Sequence, residues 1–521
     1  MSLQTFFWEN WLRIAVGTAL VCVGTFIAKF ILHRRLYRDL PSPEHSLILG
    51  NLKVIGEWIK KYPADSYPQA MFVDLANAYN FHGLYYMDLY PFGKPMLFIT
   101  DPALVVQIQS QPRHRRTLSF LRGLVGSKGI FSSRGSEWAA QRSWFSPAFS
   151  AANILTLIPG MVDETLVFRE KLTQLASSQQ KFSMMDLALR LAIDVIGASG
   201  FGIRLKSQTE DCEIFNALNA ATAWTSGQTA SFWHKLLSPY MMDWNTWKLD
   251  RLLGEVIQEK YAGKMEDNTS KSILDLALKG YQKDNGRLEK GSDITKDPKF
   301  MQVALDNFKT FLTAGHDTTS SVITYVFYLL STHPDILEQV REEHNAVFGS
   351  DLETTIERLK SQPALTNKLP LTYATIKEAL RLYPIGFTIR EAPFGSIVTY
   401  EGRKYPIDNH LICNLASSMH RSPEHWTNPN EFIPARFLDA SSINNAAYLP
   451  FEKGPRNCIG QQLALVETKV IMVMTLRFFD FTPMLNQDGP EIDGWGGKAY
   501  QVLALSAKPK DGIPMTVKLR K

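Results

Sequence analysis

Apolar residues form one continuous run near the N-terminus and recur at helical spacing through most of the remaining chain. Residues 14–28 carry no charge, and apolar flanks extend this run over residues 11–32. Because about 20 apolar residues are needed for a helix to cross a bilayer, the run predicts a transmembrane helix. The basic segment that follows, residues 33–38 (HRRLYR), predicts that the rest of the chain lies on the cytoplasmic side.

A cleaved signal peptide is the alternative for this run, because its uncharged core is short enough for one. A membrane anchor is favoured, since no small-residue cleavage site follows and the basic segment lies on the wrong side for a signal. We therefore predict three parts. Residues 1–38 form the anchor and its basic flank, residues 39–50 form a hinge stiffened by two prolines, and residues 51–521 form one folded body.

The folded body is predicted to be mainly helical. The longest helical pattern runs from Phe300 to about Ser331, which corresponds to ~45 Å at 1.5 Å per residue. Pro334 ends this helix and opens the next one, and a further helix ends at Pro384. Short β-like segments around a Glu401-Gly402 turn predict a hairpin. Helices segregated from a little strand indicate a mainly α fold with small β-sheets.

Composition and charge exclude several classes of protein. Apolar residues make up 45% and charged residues 21%, which is ordinary for a folded domain. The net charge of +5 is mild and no basic stripe is present, so we expect no nucleic-acid partner. The four cysteines form no CxxC pair and no zinc-like spacing with histidine, which favours a reducing, cytosol-facing location. They are Cys22, Cys212, Cys413 and Cys458.

Cys458 has unusual neighbours, in the segment FEKGPRNCIG just before an apolar segment with helical spacing. A cysteine in front of a helix faces the positive end of the helix dipole and free backbone N–H groups, which favour the thiolate. Gly454 permits a tight turn, and Gly460 lets the backbone approach a flat group. Phe451 can shield the sulfur, and Arg456 suits a carboxylate. The segment predicts an axial metal ligand, with a buried inert cysteine as the alternative.

These five residues match the FxxGxRxCxG signature of the cytochrome P450 haem-thiolate monooxygenases, which the sequence resembles over nearly its whole length. The resemblance implies the cytochrome P450 fold, preceded by a single N-terminal transmembrane helix. It also implies haem b (iron protoporphyrin IX) as cofactor, with Cys458 as its axial thiolate ligand. The sequence is similar in style to fungal microsomal members of secondary-metabolite pathways.

A second motif, AGHDTT, lies in the middle of the longest predicted helix and includes Ala314, Gly315, Asp317 and Thr318. Glycine in a helix costs about 1 kcal/mol relative to alanine, which suggests that something lies close to the backbone here. The resemblance implies an oxygen-binding groove in which Thr318 hydrogen-bonds the oxygen and Asp317 relays protons. In the alternative, the threonine bonds to a carbonyl one turn earlier and Asp317 lies in solvent.

Two further groups of residues are assigned through the resemblance. Glu378 and Arg381 lie three apart, and alone they read as a surface pair worth well under ~1 kcal/mol. The resemblance implies that they join Arg436 of the PARF element as a structural brace, outside the chemistry.

The haem propionates also need partners. Trp138 and Arg142 lie four apart on one helical face. The resemblance implies that they bind the propionates together with Arg456 and Arg390. The alternatives are a core aromatic for Trp138 and a surface charge for Arg390.

The resemblance implies a monooxygenase that inserts one atom of dioxygen into a hydrophobic small molecule. Because the chain shows no flavin or NAD(P) fingerprint, we expect electrons from a separate NADPH-cytochrome P450 reductase, with cytochrome b5 as an optional second donor. The expected location is the endoplasmic reticulum membrane, as a single-pass protein whose catalytic domain, residues 51–521, faces the cytosol. Residues 117–136, 304–314 and 385–388 and the turn near Gly496 are expected to line the substrate site.

Two other functions stay open at this stage. One is a haem-thiolate isomerase or dehydratase that rearranges peroxides without a reductase; such relatives often lack the acid–alcohol pair, which this chain retains at positions 317 and 318. The other is a membrane-tethered haem binder without catalysis. The sequence does not identify the substrate, the position or number of oxidations, or the role of residues 205–300.

Overall fold

Helices dominate the computed structural model, which describes residues 3–111, 121–225, 232–261, 272–285, 294–387, 389–439, 441 and 443–520. The α-helices of the described residues are α1 Leu3–Leu36, α2 Leu52–Ile59, α3 Pro68–Ala78, α4 Pro102–Ile108, α5 Arg122–Val125, α6 Gly135–Phe145, α7 Ala151–Ser178, α8 Met184–Ile196, α9 Glu213–Thr225, α10 Phe232–Tyr261, α11 Ile273–Asn285, α12 Pro298–Thr332, α13 Pro334–Phe348, α14 Leu352–Ser361, α15 Pro370–Leu382, α16 Ala416–His420 and α17 Gln461–Thr475.

The strands are short and form four small sheets. They are β1 Leu84–Met87, β2 Met96–Ile99, β3 Phe182–Ser183, β4 Ile389–Arg390, β5 Ile397–Tyr400, β6 Arg403–Pro406, β7 Leu411–Asn414, β8 Phe479–Pro483, β9 Gln501–Leu503, β10 Ala507–Pro509 and β11 Pro514–Leu519. The largest sheet has the order β1-β2-β7-β4, in which only β2 and β7 run parallel; the others are β3-β11-β8, β5-β6 and β9-β10. The predicted mainly α fold with small β-sheets is confirmed.

Helix α12 is the centre of the body. It begins after Asp297, whose side chain accepts the N–H of Lys299, and Pro298 occupies the first helical position, where its missing N–H costs nothing. It ends at Thr332, just before Pro334, close to the predicted bounds. Helices α8, α10 and α15 pack around it, so most of its circumference is buried, as expected for a helix with apolar residues on several faces.

The two predicted local elements at the C-terminal end of the body also form. The Glu401-Gly402 turn connects β5 and β6, and both residues have positive φ (49° and 75°), as the tight hairpin turn requires. Helix α17 begins directly after Gly460 and buries nearly all of its side chains against α7 and α15.

Helix α1 projects from the body. Its stretch from Arg13 to Asp39 has a mean hydropathy of 2.1, and none of its most apolar part is buried, which fits a single transmembrane helix. Helix α7 is also long and apolar enough to cross a membrane, but 44% of its most apolar part is buried inside the body. We therefore interpret α7 as a core helix and α1 as the anchor.

The C-terminal end of α1 is bonded to the body. The guanidinium of Arg34 is buried, forms an ion pair with Asp88, and donates to the carbonyl oxygens of Leu47, Ile48 and Tyr90. The connection at residues 39–50 is therefore held between the helix end and the body.

Candidate active site

A cavity lies between α12 and the loop that precedes α17. Its volume is about 310 Å³. Apolar side chains make up most of its lining, which includes Ile130, Phe131, Phe149, Ile196, Phe311, Val322, Leu380, Ile385, Phe387, Ile459 and Leu463. Of the segments expected to line a substrate site, residues 117–120 and Thr388 lie outside the described residues, and the Gly496 turn lies against Tyr383 instead.

Cys458 opens onto this cavity from the loop before α17. Its backbone N–H donates to the carbonyl of Phe451 at 2.9 Å, which closes the loop around the thiol. Gly454 has φ +78°, and a Cβ there would lie 2.9 Å from Oε1 of Gln109, so only glycine fits this turn without strain. Gly460 and Phe451 also line the cavity, and a Cβ at Gly460 would lie 3.9 Å from Sγ of Cys458.

Two arginines, Arg142 and Arg456, also line the cavity. Arg142 donates to the backbone carbonyl and to Oδ1 of Asn457, the residue before the cysteine, at 3.1 and 2.8 Å. Burial lowers the pKa of Arg142 from its usual value, and the neighbouring Cys458 opposes that shift. The guanidinium carbon of Arg456 lies 4.2 Å from the ring centroid of Trp138, and both residues line the cavity.

Arg390 lies one layer behind the cavity surface. Its guanidinium pairs with Glu452, which lines the cavity, and donates to the carbonyl of Gln111 at 2.8 Å. Glu452 has a positive φ of 57°, an uncommon conformation for a residue with a side chain. Arg390 thus fixes the position of Glu452 in this structure.

The middle of α12 supplies one wall of the cavity through Ala314, Gly315 and Thr318. The hydroxyl of Thr318 donates to the carbonyl of Ala314 at 2.7 Å, one turn earlier. A Cβ at Gly315 would lie 3.1 Å from Cγ1 of Ile196, so the glycine allows α8 to pack closely against α12. Thr318 therefore bonds to a carbonyl one turn earlier, as the alternative in the sequence analysis held, and at the same time lines the cavity.

Asp317 points away from this wall and is buried against β10. Its Oδ1 lies 2.6 Å from Nζ of Lys508. Burial raises the pKa of Asp317, but the positive charge of Lys508, helped by His316, more than offsets this and lowers the pKa below its usual value. The side chain is thus a buried carboxylate, in contrast to the solvent-exposed Asp317 of the alternative reading.

The brace of Glu378, Arg381 and Arg436 is fully assembled. Arg381 donates to both carboxylate oxygens of Glu378 at 2.7 and 2.8 Å, and Arg436 donates to one of them at 3.0 Å. Arg381 also donates to the carbonyls of His420 and Glu431. Because Glu378 and Arg381 are completely buried, the pair holds the loop after α16 against α15.

Glu467, which the sequence reading did not select, also lines the cavity. It lies in α17 among apolar neighbours and is 3% exposed. Burial raises its pKa well above the usual value and so favours the neutral carboxyl group. The sequence signal that could have identified it is that Glu467 is the one acidic residue of the mostly apolar helix α17.

Comparison with known proteins decides the family. The family model described as Cytochrome P450 matches residues 41–510. The chain belongs to the cytochrome P450 family. The solved structure of the cytochrome P450DA heme domain has the same fold, with a TM-score of 0.72 over 92% of this chain and 98% of that chain at 24% identity.

Similar P450 proteins occur in fungi. Cytochrome P450 monooxygenase acrF of Aspergillus aculeatus is 34% identical over 88% of this chain and 98% of its own length. Cytochrome P450 monooxygenases polC of Polytolypa hystricis and ptmG of Penicillium ochrochloron are each 30% identical, over 97% and 94% of this chain. The resemblance to fungal members is confirmed, and this P450 is a cytochrome P450 monooxygenase.

Proposed function

We propose that this P450 inserts one atom of dioxygen into a hydrophobic small molecule at a haem b whose axial ligand is the thiolate of Cys458. The observation that carries the proposal is that Cys458 and Thr318 line the same cavity, one from the loop before α17 and the other from α12. A sulfur ligand and a hydroxyl group thereby share one largely apolar space, in which a flat cofactor and a substrate can meet.

The residues present fit a haem group. The cavity offers one sulfur atom on one side, two guanidinium groups of Arg142 and Arg456 for the propionates, and the Trp138 ring beside them. Arg390 supports this region through Glu452. When bound, the haem supplies the activation of dioxygen, and thiolate ligation favours cleavage of the O–O bond.

The protein's own groups orient the reactants and provide protons. Thr318 holds a hydroxyl proton at Oγ1 on the cavity surface, and its bond to Ala314 fixes the direction of that hydroxyl. Asp317, the preceding residue of α12, forms an ion pair with Lys508 on the side of the helix away from the cavity, and this pair provides the charged groups from which the proton is replaced. The apolar lining excludes water and selects a hydrophobic substrate.

The wider setting is part of the same proposal. Residues 1–38 anchor the protein in the endoplasmic reticulum membrane through one transmembrane helix. Residues 39–50 connect this anchor to the catalytic domain, residues 51–521, which lies in the cytosol. The exposed, apolar α1 and the basic residues at its end support this arrangement. Electrons come from a separate NADPH-cytochrome P450 reductase, with cytochrome b5 as an optional second donor, and the fungal relatives support a role in secondary metabolism.

The ligation can be tested directly with the full-length protein in detergent or nanodiscs. The reduced protein under carbon monoxide is expected to show the strongly red-shifted Soret band of thiolate-ligated haem, and Cys458→His is expected to lose that shift while retaining haem. Cys212→Ser, at another cysteine of the chain, is the matched control and keeps the band. A wild-type band like that of myoglobin in undenatured protein would overturn the proposal. Turnover of a hydroperoxide without NADPH would favour the isomerase or dehydratase instead.

A further inference from the structure

The first half of α12 is bonded to the backbone of a cavity wall. We call residues 124–131 the wall segment, because Ile130 and Phe131 at its end line the cavity. Four polar side chains of α12 bond to this segment, from two adjacent positions followed by two more at three-residue spacing. These clamp residues are Asp306, Asn307, Thr310 and Thr313.

Asp306 is the first clamp residue and is almost completely buried. Its Oδ2 accepts the backbone N–H groups of Ser127 at 2.9 Å and Lys128 at 2.7 Å. Its Oδ1 accepts from Nε2 of Gln302 at 3.0 Å and lies 3.5 Å from Nζ of Lys309. A buried carboxylate is costly unless its oxygens are bonded and its charge is balanced, and here both conditions are met.

Asn307 continues the series. Its Oδ1 accepts the N–H of Ile130 at 2.9 Å, and its Nδ2 donates to Oε1 of Gln141 at 3.0 Å. Gln141 in turn donates to the carbonyl of Lys128 at 2.5 Å. The wall segment is therefore held from α12 and from α6 at the same point.

The two threonines complete the series further along α12. Thr310 donates to the carbonyl of Val125 and Thr313 to the carbonyl of Leu124, each at 2.9 Å. The hydroxyl of Thr310 lies equally close to the carbonyl of Asp306 in its own helix, at 2.8 Å, whereas Thr313 bonds to the wall segment in place of the usual bond to its own helix. Thr324, about three turns further along, shows that ordinary behaviour and bonds to the carbonyl of Ser320.

Two glycines of the wall segment lie so close to α12 that a side chain would not fit at either position. A Cβ at Gly126 would lie 2.1 Å from Cγ of Asp306, and φ at this position is +68°. A Cβ at Gly129 would lie 3.0 Å from the carbonyl oxygen of Asp306. Both glycines are therefore required for the backbone of the wall segment to contact the clamp residues.

We propose that the clamp residues determine substrate selectivity by fixing the wall segment against α12, so that the cavity shape at Ile130 and Phe131 is set before a ligand enters. Asp306, Asn307 and Thr313 act as positioning residues, and Thr310 also lines the cavity itself. A wall that is already ordered costs a ligand no conformational entropy on binding and excludes molecules of the wrong shape. The inference rests on the proposed function, because the cavity must be the substrate site for its shape to select substrates.

The test compares two near-isosteric variants, Thr313→Val and Asp306→Asn, with Thr324→Val as the matched control on the same helix. Each is made in the full-length, haem-containing protein. The probes are imidazole and 4-phenylimidazole, which share the same iron-binding ring and differ by one phenyl group that must be accommodated in the cavity. Spectral titration gives both dissociation constants, and hydrogen exchange with mass spectrometry reports the opening of residues 124–131.

Loss of one net hydrogen bond changes an equilibrium by about fivefold. We expect exchange in residues 124–131 to increase by about that factor in both test variants, together with an about fivefold weaker binding of 4-phenylimidazole and unchanged binding of imidazole. Thr324→Val is expected to change neither dissociation constant nor the exchange of the wall segment. Thr313→Ser, which keeps the hydroxyl group, is expected to behave like the wild type.

The inference would be overturned if the ratio of the dissociation constants for 4-phenylimidazole and imidazole stayed within about twofold of wild type in both variants while the wall segment exchanged faster. Faster exchange throughout the body with an unchanged ratio would overturn it as well. A wild-type protein without the red-shifted carbon monoxide band would instead count against the proposed function.

Discussion

Lys508 Nζ lies 2.6 Å from Oδ1 of Asp317, where β10 packs against α12. The carboxylate is 1% exposed, and the two residues belong to parts of the chain that are far apart in sequence. A buried carboxylate without this cation would bear the full cost of desolvation. The pair therefore decides the charge of the group next to Thr318.

Lys508→Gln is expected to destabilise the protein by about 3 kcal/mol at pH 7, because it leaves a buried carboxylate without its cation. In the wild type the folded pKa of Asp317 is lowered, so its contribution to stability is present above the unfolded value of about 4 and is lost as the pH falls. In the variant, burial raises that pKa, so the stability deficit grows as the pH rises from about 4 to 7.

Thermal unfolding of wild type and variant from pH 5 to 8 measures this difference. Asp317→Asn combined with Lys508→Gln should recover most of the loss, since neither charge is then buried alone. Lys510→Gln is the matched control: its partner Asp65 is one-third exposed, and the expected loss is below about 1 kcal/mol. A Lys508→Gln deficit that is the same at every pH would contradict the assignment.

Glu467→Gln is expected to stabilise the protein increasingly as the pH rises. Burial raises the folded pKa of Glu467 above its unfolded value, so its contribution to stability is fully present below about pH 4 and is lost as the pH rises toward the folded pKa. The loss is about 1.4 kcal/mol for each pH unit in this interval, and glutamine does not titrate.

Chemical denaturation of the haem-containing protein at several pH values tests this expectation. Glu255→Gln, at a side chain 62% exposed in α10, should give a difference that does not depend on pH. A Glu467→Gln variant that is equally destabilised at pH 5 and pH 8 would show that the buried carboxyl is held ionised by a partner.

Glu378→Gln is expected to cost about 3–5 kcal/mol and to reduce the yield of carbon monoxide-binding pigment. The carboxylate accepts bonds from Arg381, Arg436 and the N–H of Ile433, and its neutralisation leaves buried guanidinium charge uncompensated. Pigment yield and the urea midpoint are the measurements. Glu338→Gln, whose carboxylate pairs at the surface with Arg520, should retain both; equal effects of the two substitutions would refute the structural role of the brace.

Local sequence was sufficient for the main elements and for one side of the candidate site. The bounds of α12 follow from Pro298 and Pro334, and the loop of Cys458 is contained in ten consecutive residues. The positive φ of Gly454 and the start of α17 directly after Gly460 are local features, whereas the contact that excludes a side chain at Gly454 comes from the distant Gln109. Short-range steric and capping rules therefore determine these local features.

The parts that sequence reasoning missed depend on contacts between distant segments. Arg390 pairs with Glu452, and Asp317 pairs with Lys508, although no periodicity relates these positions. The requirement for glycine at position 126 comes from Asp306, which lies 180 residues further along the chain. Such relationships are set by packing of the whole body, which a single sequence does not display.

The bonded end of α1 makes bilayer thickness relevant to the catalytic body. A transmembrane helix adapts to a thicker or thinner membrane chiefly by changing its tilt. Arg34 and His33 both bond to Asp88, so the helix end is tied to the body by two side chains. For a body anchored by α1, a change of helix tilt with bilayer thickness therefore acts on the body through this one carboxylate.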